Sequence, residues 1–330
     1  MRVCDVGGWT DTWFARTGAV LSIAVAPMVE VVVSARPGPG GQQVVLLAPD
    51  LGERYAFDLA APPGRQPLLE AALVLAGLPE DVAVVVQLRA GVPPGSGTGT
   101  SAAVVVALLG ACDRLTPGVA GPHGLAELAH RVETQGLGQQ SGVQDQLAAA
   151  FGGINLFEVR YPEASVHPVA VSRPTAQALE RRLVLVYLGH PHRSSAIHEE
   201  VVARLGARGG RGRELDVLRS AARSAAASLE AGDLDGLGTA MVTATDAARS
   251  LHPSLVSREA EVLIGAARAA GATGWKPNGA GGDGGSLTLL AGSEPAATVR
   301  LVAAVRAVEG PHAVLPICLA PHGLSVTAEP

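Results

Sequence analysis

The stretch that most restricts what this chain can fold into is Gly91-Val92-Pro93-Pro94-Gly95-Ser96-Gly97-Thr98-Gly99-Thr100-Ser101-Ala102-Ala103. An alternating apolar run from Val82 to Ala90 precedes it and predicts a strand, and the Ala/Val/Leu run from Ala102 to Cys112 predicts a buried helix. A strand, a glycine loop and a helix start make an anion cradle. The glycines let backbone N–H groups turn inward, the first turn of the helix leaves donors unpaired, and the macrodipole favours negative charge there. Ser96, Thr98, Thr100 and Ser101 add hydroxyls suited to phosphate oxygens or a hard cation. A Walker loop would close on Gly-Lys-Ser/Thr, and no lysine stands in this loop. A dinucleotide fingerprint would read G-x-G-x-x-G, whereas the glycines here alternate at 95, 97 and 99.

Composition narrows the partners. The 330 residues suffice for two domains, and 48% hydrophobic residues with 17% charged ones imply a well-buried core. A net charge of −5 gives no reason to expect nucleic acid or an anionic membrane as a partner. Gly, Pro or a charge interrupts every apolar run before it reaches membrane-spanning length. The start, Met1-Arg2-Val3-Cys4-Asp5, lacks a secretory pattern, so a cytoplasmic location is expected. Cys4, Cys112 and Cys318 are too few and too scattered for a disulfide framework or a zinc site. The basic residues are Arg except for Lys276, a solitary lysine beside a further glycine-rich loop, which hints that a compact ammonium matters there.

Along the chain, strands are expected at Arg2–Val6, Val20–Ala26, Met28–Ser34 and Tyr55–Leu59. Val29–Val33 and Gln43–Leu47 are expected to pair as a hairpin across Pro37-Gly38-Pro39-Gly40-Gly41. Leu68–Ala76 and Gly124–Gln135 have helical character, and the segment Ser141–Gln146 should lead into an apolar helix ending at Phe151 before the strand Ile154–Val159. A change of composition near Arg173-Pro174 marks the expected boundary between residues 1–173 and 174–330. The second half predicts the strand Leu183–Leu188 and helices over 196–205, 213–231, 234–249, 258–270 and 296–308. Strands are expected at Leu287–Leu290, Val314–Leu319 and Leu324–Thr327, giving helices layered on a small antiparallel sheet.

Four ordered segments resemble the GHMP kinase superfamily, and its heptose-phosphate and fucose kinase branch most of all. Arg2 to Asp11, with Gly-Gly-x-Thr-Asp at its heart, is similar to the first family motif, and Pro93 to Ala103 to the second. Gly142-Val143-Gln144-Asp145-Gln146 followed by Phe151-Gly152-Gly153 is similar to the segment carrying the family's catalytic aspartate, and Asn278 to Gly285 to the third motif. The resemblance implies an α+β protein of two domains, ribosomal-protein-S5-like then ferredoxin-like, with the active site between them. It implies ATP and magnesium as cofactors and a sugar or sugar-phosphate hydroxyl as acceptor, the anomeric one foremost. A cyclitol acceptor, an isoprenoid-pathway GHMP enzyme and a non-catalytic ligand-binding homologue are the alternatives. Monomer and homodimer both remain open.

By the same resemblance Asp145 would accept or orient the acceptor's proton, and Arg2 would hold Asp145 ionised or neutralise the moving phosphoryl group. Pro94, Gly95, Ser96, Gly97, Thr98, Gly99, Thr100, Ser101 and Ala102 would cradle the nucleotide, with Gly279, Gly281 and Gly282 from the third motif. Gly8, Thr10, Asp11 and Gln144 would bind the acceptor, and Ser101 and Glu133 would hold magnesium; Glu133 suits a solvated helix face equally well. Trp9 and Trp13 fit either sugar stacking or core packing. His190, His192 and His198 invite a zinc reading, but no fourth ligand follows at suitable spacing. The segment His190 to Ser195 better suits an anionic or hydroxyl-rich ligand, with Arg193 and Ser194 as its contacts. Asn278 and Asp283 depart from the third motif. A carboxylate at 283 among phosphate-facing donors should turn away or take a metal, with Lys276 close enough in sequence to offset it.

Overall fold

The computed structural model describes residues 1–38, 43–61, 64–116, 120–192, 195–206 and 212–328. The first half builds two sheets. β1 (Arg2–Val6), β2 (Thr17–Ala26), β3 (Val29–Pro37), β4 (Gln43–Ala48) and β5 (Glu53–Asp58) lead to α1 (Pro67–Leu75) and β6 (Val82–Ala90). Then come α2 (Thr100–Asp113), α3 (Pro122–Arg131) with a π-helical turn over Val132–Gly136, α4 (Gln144–Phe151), β7 (Ile154–Arg160) and β8 (Glu163–Pro168). The second half carries α5 (Arg173–Arg182), β9 (Leu183–Tyr187), α6 (Ser195–Gly206), α7 (Arg213–Glu230), α8 (Leu234–Leu251) and α9 (Arg258–Ala269). It closes with β10 (Gly274–Pro277), β11 (Ser286–Leu290), α10 (Ala297–Ala307), β12 (Ala313–Leu315) and β13 (Cys318–Leu319).

One sheet runs β1-β2-β7-β8, with β13 also pairing β2; a second runs β3-β6-β4-β5; the third, β10-β11-β9-β12, is antiparallel throughout, as expected. The expected β3–β4 hairpin does not form. β6 lies between the two, antiparallel to β3 and parallel to β4. Its alternation explains the place: Val84, Val86 and Leu88 are buried while Gln87 and Arg89 are exposed, so β6 carries an apolar row that is best spent at the centre. Of the turn expected over residues 37–41, Pro37 ends β3 and residues 39–41 lie outside the described residues. Residues 324–327 are not a strand. Leu324 packs instead on α2, close against Gly110, and its N–H donates to the Ala150 carbonyl at 3.2 Å.

α2 is apolar on every side and buries Val105, Val106, Leu108 and Leu109, each such side chain contributing about 1.5–3 kcal/mol. That burial overrides the modest helix propensity of its valines. On α7, Leu215, Leu218, Ala221, Ala225 and Leu229 recur at helical spacing and pack in one apolar cluster with Val3, Val6, Leu21 and Ile23 of β1 and β2. The core therefore runs across residue 173, where α5 begins under an Ser172 cap that accepts from the Thr175 N–H at 3.3 Å. No helix among the described residues is long and apolar enough to cross a membrane.

Candidate active site

The glycine loop reaches α2 through Gly95, Gly97 and Gly99, all left-handed with φ of 69°, 72° and 69°. Alternating left-handed residues turn successive N–H groups toward one side, as in an anion nest. Gly99 caps α2 without a side-chain bond, which leaves the first-turn N–H groups of the helix open to the cleft. Ser101 is exposed beside them, whereas Ser96 and Thr98 turn inward. Their hydroxyls bond one another at 2.8 Å, and Thr98 bonds Thr100 at 3.1 Å. The loop's shape is held by those hydroxyls from within.

β1 lies directly behind this loop. The Arg2 N–H donates to the Thr98 carbonyl at 3.0 Å, and the buried guanidinium donates to the Gly97 carbonyl. Arg2 also donates from Nε to Asp145 Oδ1 at 2.8 Å, with Nη2 at 2.7 Å from the same oxygen. Burial works against the charged guanidinium, but Asp145, Asp5 and Asp11 outweigh it and raise its pKa. Asp145 sits in the first turn of α4, its side chain 31% exposed to the cleft. A Cβ on Gly99 would stand 3.2 Å from Asp145 Cγ, so the carboxylate lies against the backbone of the glycine loop.

Asp11 is buried where the loop after β1 meets α4. Its Oδ2 accepts from the Gln144 N–H at 3.1 Å, and Gly142 is a glycine because a Cβ would fall 2.1 Å from that oxygen. Burial pushes the Asp11 carboxyl up to about 6; the Gln144 N–H opposes this and the Asp145 charge reinforces it. Gln144 is itself 9% exposed, and its Oε1 has no partner among the described residues. Glu133 stands on the π-helical turn that follows α3, a local widening that swings it toward the cleft. Ser141 Oγ donates to its Oε2, and Gln146 Nε2 does so at 3.0 Å. Burial raises its pKa to about 7, these donors lower it and the Asp145 charge raises it.

The third glycine loop joins from β10. Lys276 Nζ lies 3.7 Å from Asp5 Oδ1, both groups buried, and the Gly279 N–H donates to Asp5 Oδ2 at 3.1 Å. Asn278 Oδ1 accepts from the Cys4 N–H at 3.0 Å and from Thr288 Oγ1 at 2.8 Å, while its Nδ2 donates to Ser286 Oγ at 2.9 Å. The lysine thus serves Asp5, not Asp283. The Asp283 carboxylate turns outward to His190 Nε2 at 3.2 Å and is 60% exposed.

These parts enclose a cleft of about 390 Å³. Of the residues expected from the sequence, Arg2, Asp11, Gly95, Ser96, Gly97, Gly99, Thr100, Ser101, Ala102, Glu133, Gln144, Asp145 and Gly279 line it. Pro94, Thr98, Gly8, Thr10, Gly281 and Gly282 are not in its wall. Thr10 is buried, its hydroxyl donating to the Gly7 carbonyl at 2.7 Å, which closes the turn after β1. Arg193 and Ser194 lie outside the described residues. Trp9 does two jobs: it is buried in the core beside Phe14, and it lines the cleft while its Nε1 donates to the Ala280 carbonyl at 3.1 Å. Trp13 packs edge-on against Phe14 at 5.1 Å. His130 of α3 is buried, with Nε2 3.1 Å from the Tyr161 hydroxyl. Sequence reasoning missed Asp5. A lone acid inside an apolar strand, in a chain with one lysine, was the available signal.

Residues 68–153 match the family model described as the GHMP kinases N terminal domain. The chain is 34% identical over 116 residues to the D-glycero-alpha-D-manno-heptose 7-phosphate kinase of Campylobacter jejuni, a match covering 35% of this chain and 34% of that one. It is 26% identical over 322 residues to the bifunctional fucokinase/GDP-fucose pyrophosphorylase of Arabidopsis thaliana, covering 91% of this chain and 30% of that protein. The matches thus span about a third of the length of each of these curated relatives. Among solved structures, a D-glycero-D-manno-heptose 1-phosphate kinase from Bacteroides thetaiotaomicron superposes with a TM-score of 0.74 at 20% identity, covering 99% of this chain and 98% of that one. The α+β fold is that of these kinases.

Proposed function

We propose that the chain, whose residues 68–153 match the GHMP kinases N terminal domain, is a kinase of that superfamily and transfers the terminal phosphoryl group of ATP to a hydroxyl of a sugar or sugar phosphate, the anomeric hydroxyl foremost. The observation that carries this reading is the Arg2–Asp145 pair lying against the phosphate loop, with Asp145 open to the cleft. Phosphoryl transfer has a loose transition state and asks chiefly for alignment and for charge neutralisation. The left-handed glycines and the α2 N-terminus bind and orient the nucleotide phosphates through backbone N–H groups.

Arg2 occupies Asp145 Oδ1, which leaves Oδ2 to accept a hydrogen bond from the acceptor hydroxyl. Because an ordinary carboxylate is a weak base toward an alcohol, its main effect is to orient the hydroxyl, taking the proton late as the oxygen–phosphorus bond forms. Asp11 and the unpartnered Gln144 Oε1 supply acceptors for neighbouring hydroxyls of the substrate. Arg2 also offsets negative charge on the transferring group.

Magnesium suits this cleft. Ser101 at the α2 N-terminus and Glu133 across from it are hard oxygen donors lining the same cavity. Two protein donors leave the remaining positions of such an ion to phosphates and water. When bound, the ion would neutralise phosphate charge and polarise the group being transferred. The test is ATP consumption with magnesium against hexoses, heptoses, their phosphates and cyclitols. Turnover on one sugar or sugar phosphate supports the reading; turnover on a cyclitol alone moves the acceptor class; absence of ATP binding rejects a kinase.

A further inference from the structure

His190-Pro191-His192 threads between the two glycine loops. The His192 N–H donates to the Gly95 carbonyl at 2.8 Å, and the Gly285 N–H donates to the His190 carbonyl at 3.1 Å. The His192 ring crosses to the third loop, where Nδ1 lies 3.3 Å from the Asp283 carbonyl oxygen. A carbonyl can only accept, so Nδ1 carries the proton and a neutral ring leaves Nε2 as a bare acceptor. That Nε2 is buried and has no partner among the described residues, and His192 is one of the residues lining the cleft, with Gly95, Ser96 and Gly279. A buried polar atom left unpaired is costly, and one placed at a binding cleft is accounted for by an occupant of that cleft.

Resting on the kinase reading, we propose that His192 is a ligand of the nucleotide phosphates: its ring takes up a proton as they enter, and Nε2–H then donates to a phosphate oxygen. The proton comes from solvent and no covalent bond changes. A neutral Nε2 would set its lone pair against a phosphate oxygen, whereas an imidazolium makes a charge-assisted bond. In the free protein, burial lowers the His192 pKa from its ordinary 6.5, and the Asp283 carbonyl opposes this only in part.

The charges around the ring are few. From the third loop Asp283 favours protonation, although its carboxylate is engaged with His190; from β1 Arg2 disfavours it; Gly95, Gly97 and Gly285 bring none. Arg193 follows in sequence and lies outside the described residues. A bound phosphate becomes the dominant negative charge and lifts the pKa above its free value. Nucleotide affinity therefore rises as pH falls from above the bound pKa toward the free one.

The experiment is calorimetric titration of the full chain with magnesium and ATP, without acceptor, at about pH 6 and about pH 8, in buffers of differing ionisation enthalpy. ATP itself titrates in this range, so the reading is the difference between wild type and His192→Gln. The expected result is net proton uptake in the wild type beyond that of the variant, with wild-type affinity roughly tenfold the stronger at the lower pH and the two converging at the higher. His190→Gln, which touches only the outward Asp283 carboxylate, should follow the wild type. Parallel pH profiles for wild type and His192→Gln overturn the assignment, and so does a His190→Gln profile that matches His192→Gln. A wild type that binds no ATP at any pH overturns the kinase reading and this ligand with it, and is distinguished from the parallel-profile result by the absence of any binding heat.

Discussion

The second and third glycine loops look alike in sequence and do different work. In the second, left-handed glycines and an uncapped helix start direct backbone donors outward into the cleft, and the hydroxyls of Ser96 and Thr98 hold the shape from behind. In the third, the polar groups face the protein itself: Lys276 and Gly279 engage Asp5, and Asn278 fastens β1 to β11. Glycine richness says only that the backbone must turn sharply or come close. Whether a loop binds or braces is decided by where its unpaired donors point.

Substitutions can pull the two roles apart. The largest effect is expected from Lys276→Met, which strands the buried Asp5 carboxylate and should cost about 3–5 kcal/mol by chemical denaturation; a loss under about 1 kcal/mol would mean that the third loop is not a brace. Asn278→Ala removes three hydrogen bonds from buried partners and should cost about 2–3 kcal/mol. Nucleotide affinity of the folded fraction should stay within about twofold. Gly99→Ala belongs to the binding loop. It places a Cβ at φ 69° and against Asp145, so the fold should lose only about 1–2 kcal/mol while ATP binding weakens roughly tenfold or more. Unchanged ATP affinity in that variant would separate the loop from the nucleotide.

The smallest effect concerns Glu133. Its pKa of about 7 in the folded chain lies above the ordinary 4.5, so the folded state holds an extra proton between those values. Stability is therefore lost as pH rises from about 4.5 through about 7. Glu133→Gln should then stabilise the fold by about 1 kcal/mol near pH 8, while weakening magnesium-dependent nucleotide binding. Equal thermal stability of the two proteins near pH 8 would place the carboxylate in water instead.

Much of this was legible in the sequence because local pattern carried it. The strand, loop and helix around residues 82–113 announce themselves by alternation, by spaced glycines and by an unbroken apolar helix, and Asp145 and Arg2 by their motifs. What stayed hidden depends on distant pairing. No local signal shows β6 inserted between β3 and β4, nor β13 returning to β2, because a strand does not name its neighbour. β10 reads as loop since Gly274-Trp275-Lys276-Pro277 has no alternation, and it becomes a strand only on β11. β8 and α5 hide likewise, in a polar stretch around a proline. The site departs from expectation where burial decides: Thr98 and Thr10 turn inward, and Glu133 reaches the cleft through a π-helical turn that apolar spacing does not encode.

The central claim is that Asp145, held by Arg2 against the phosphate loop, serves the transfer step and not nucleotide binding. The most direct measurement pairs turnover with ATP affinity in Asp145→Asn, an isosteric change that keeps a partner for Arg2. ATP affinity should stay within about twofold of wild type while turnover falls about 10³-fold. Turnover within about tenfold of wild type would contradict that claim, and the proton acceptor would have to be sought elsewhere in the cleft.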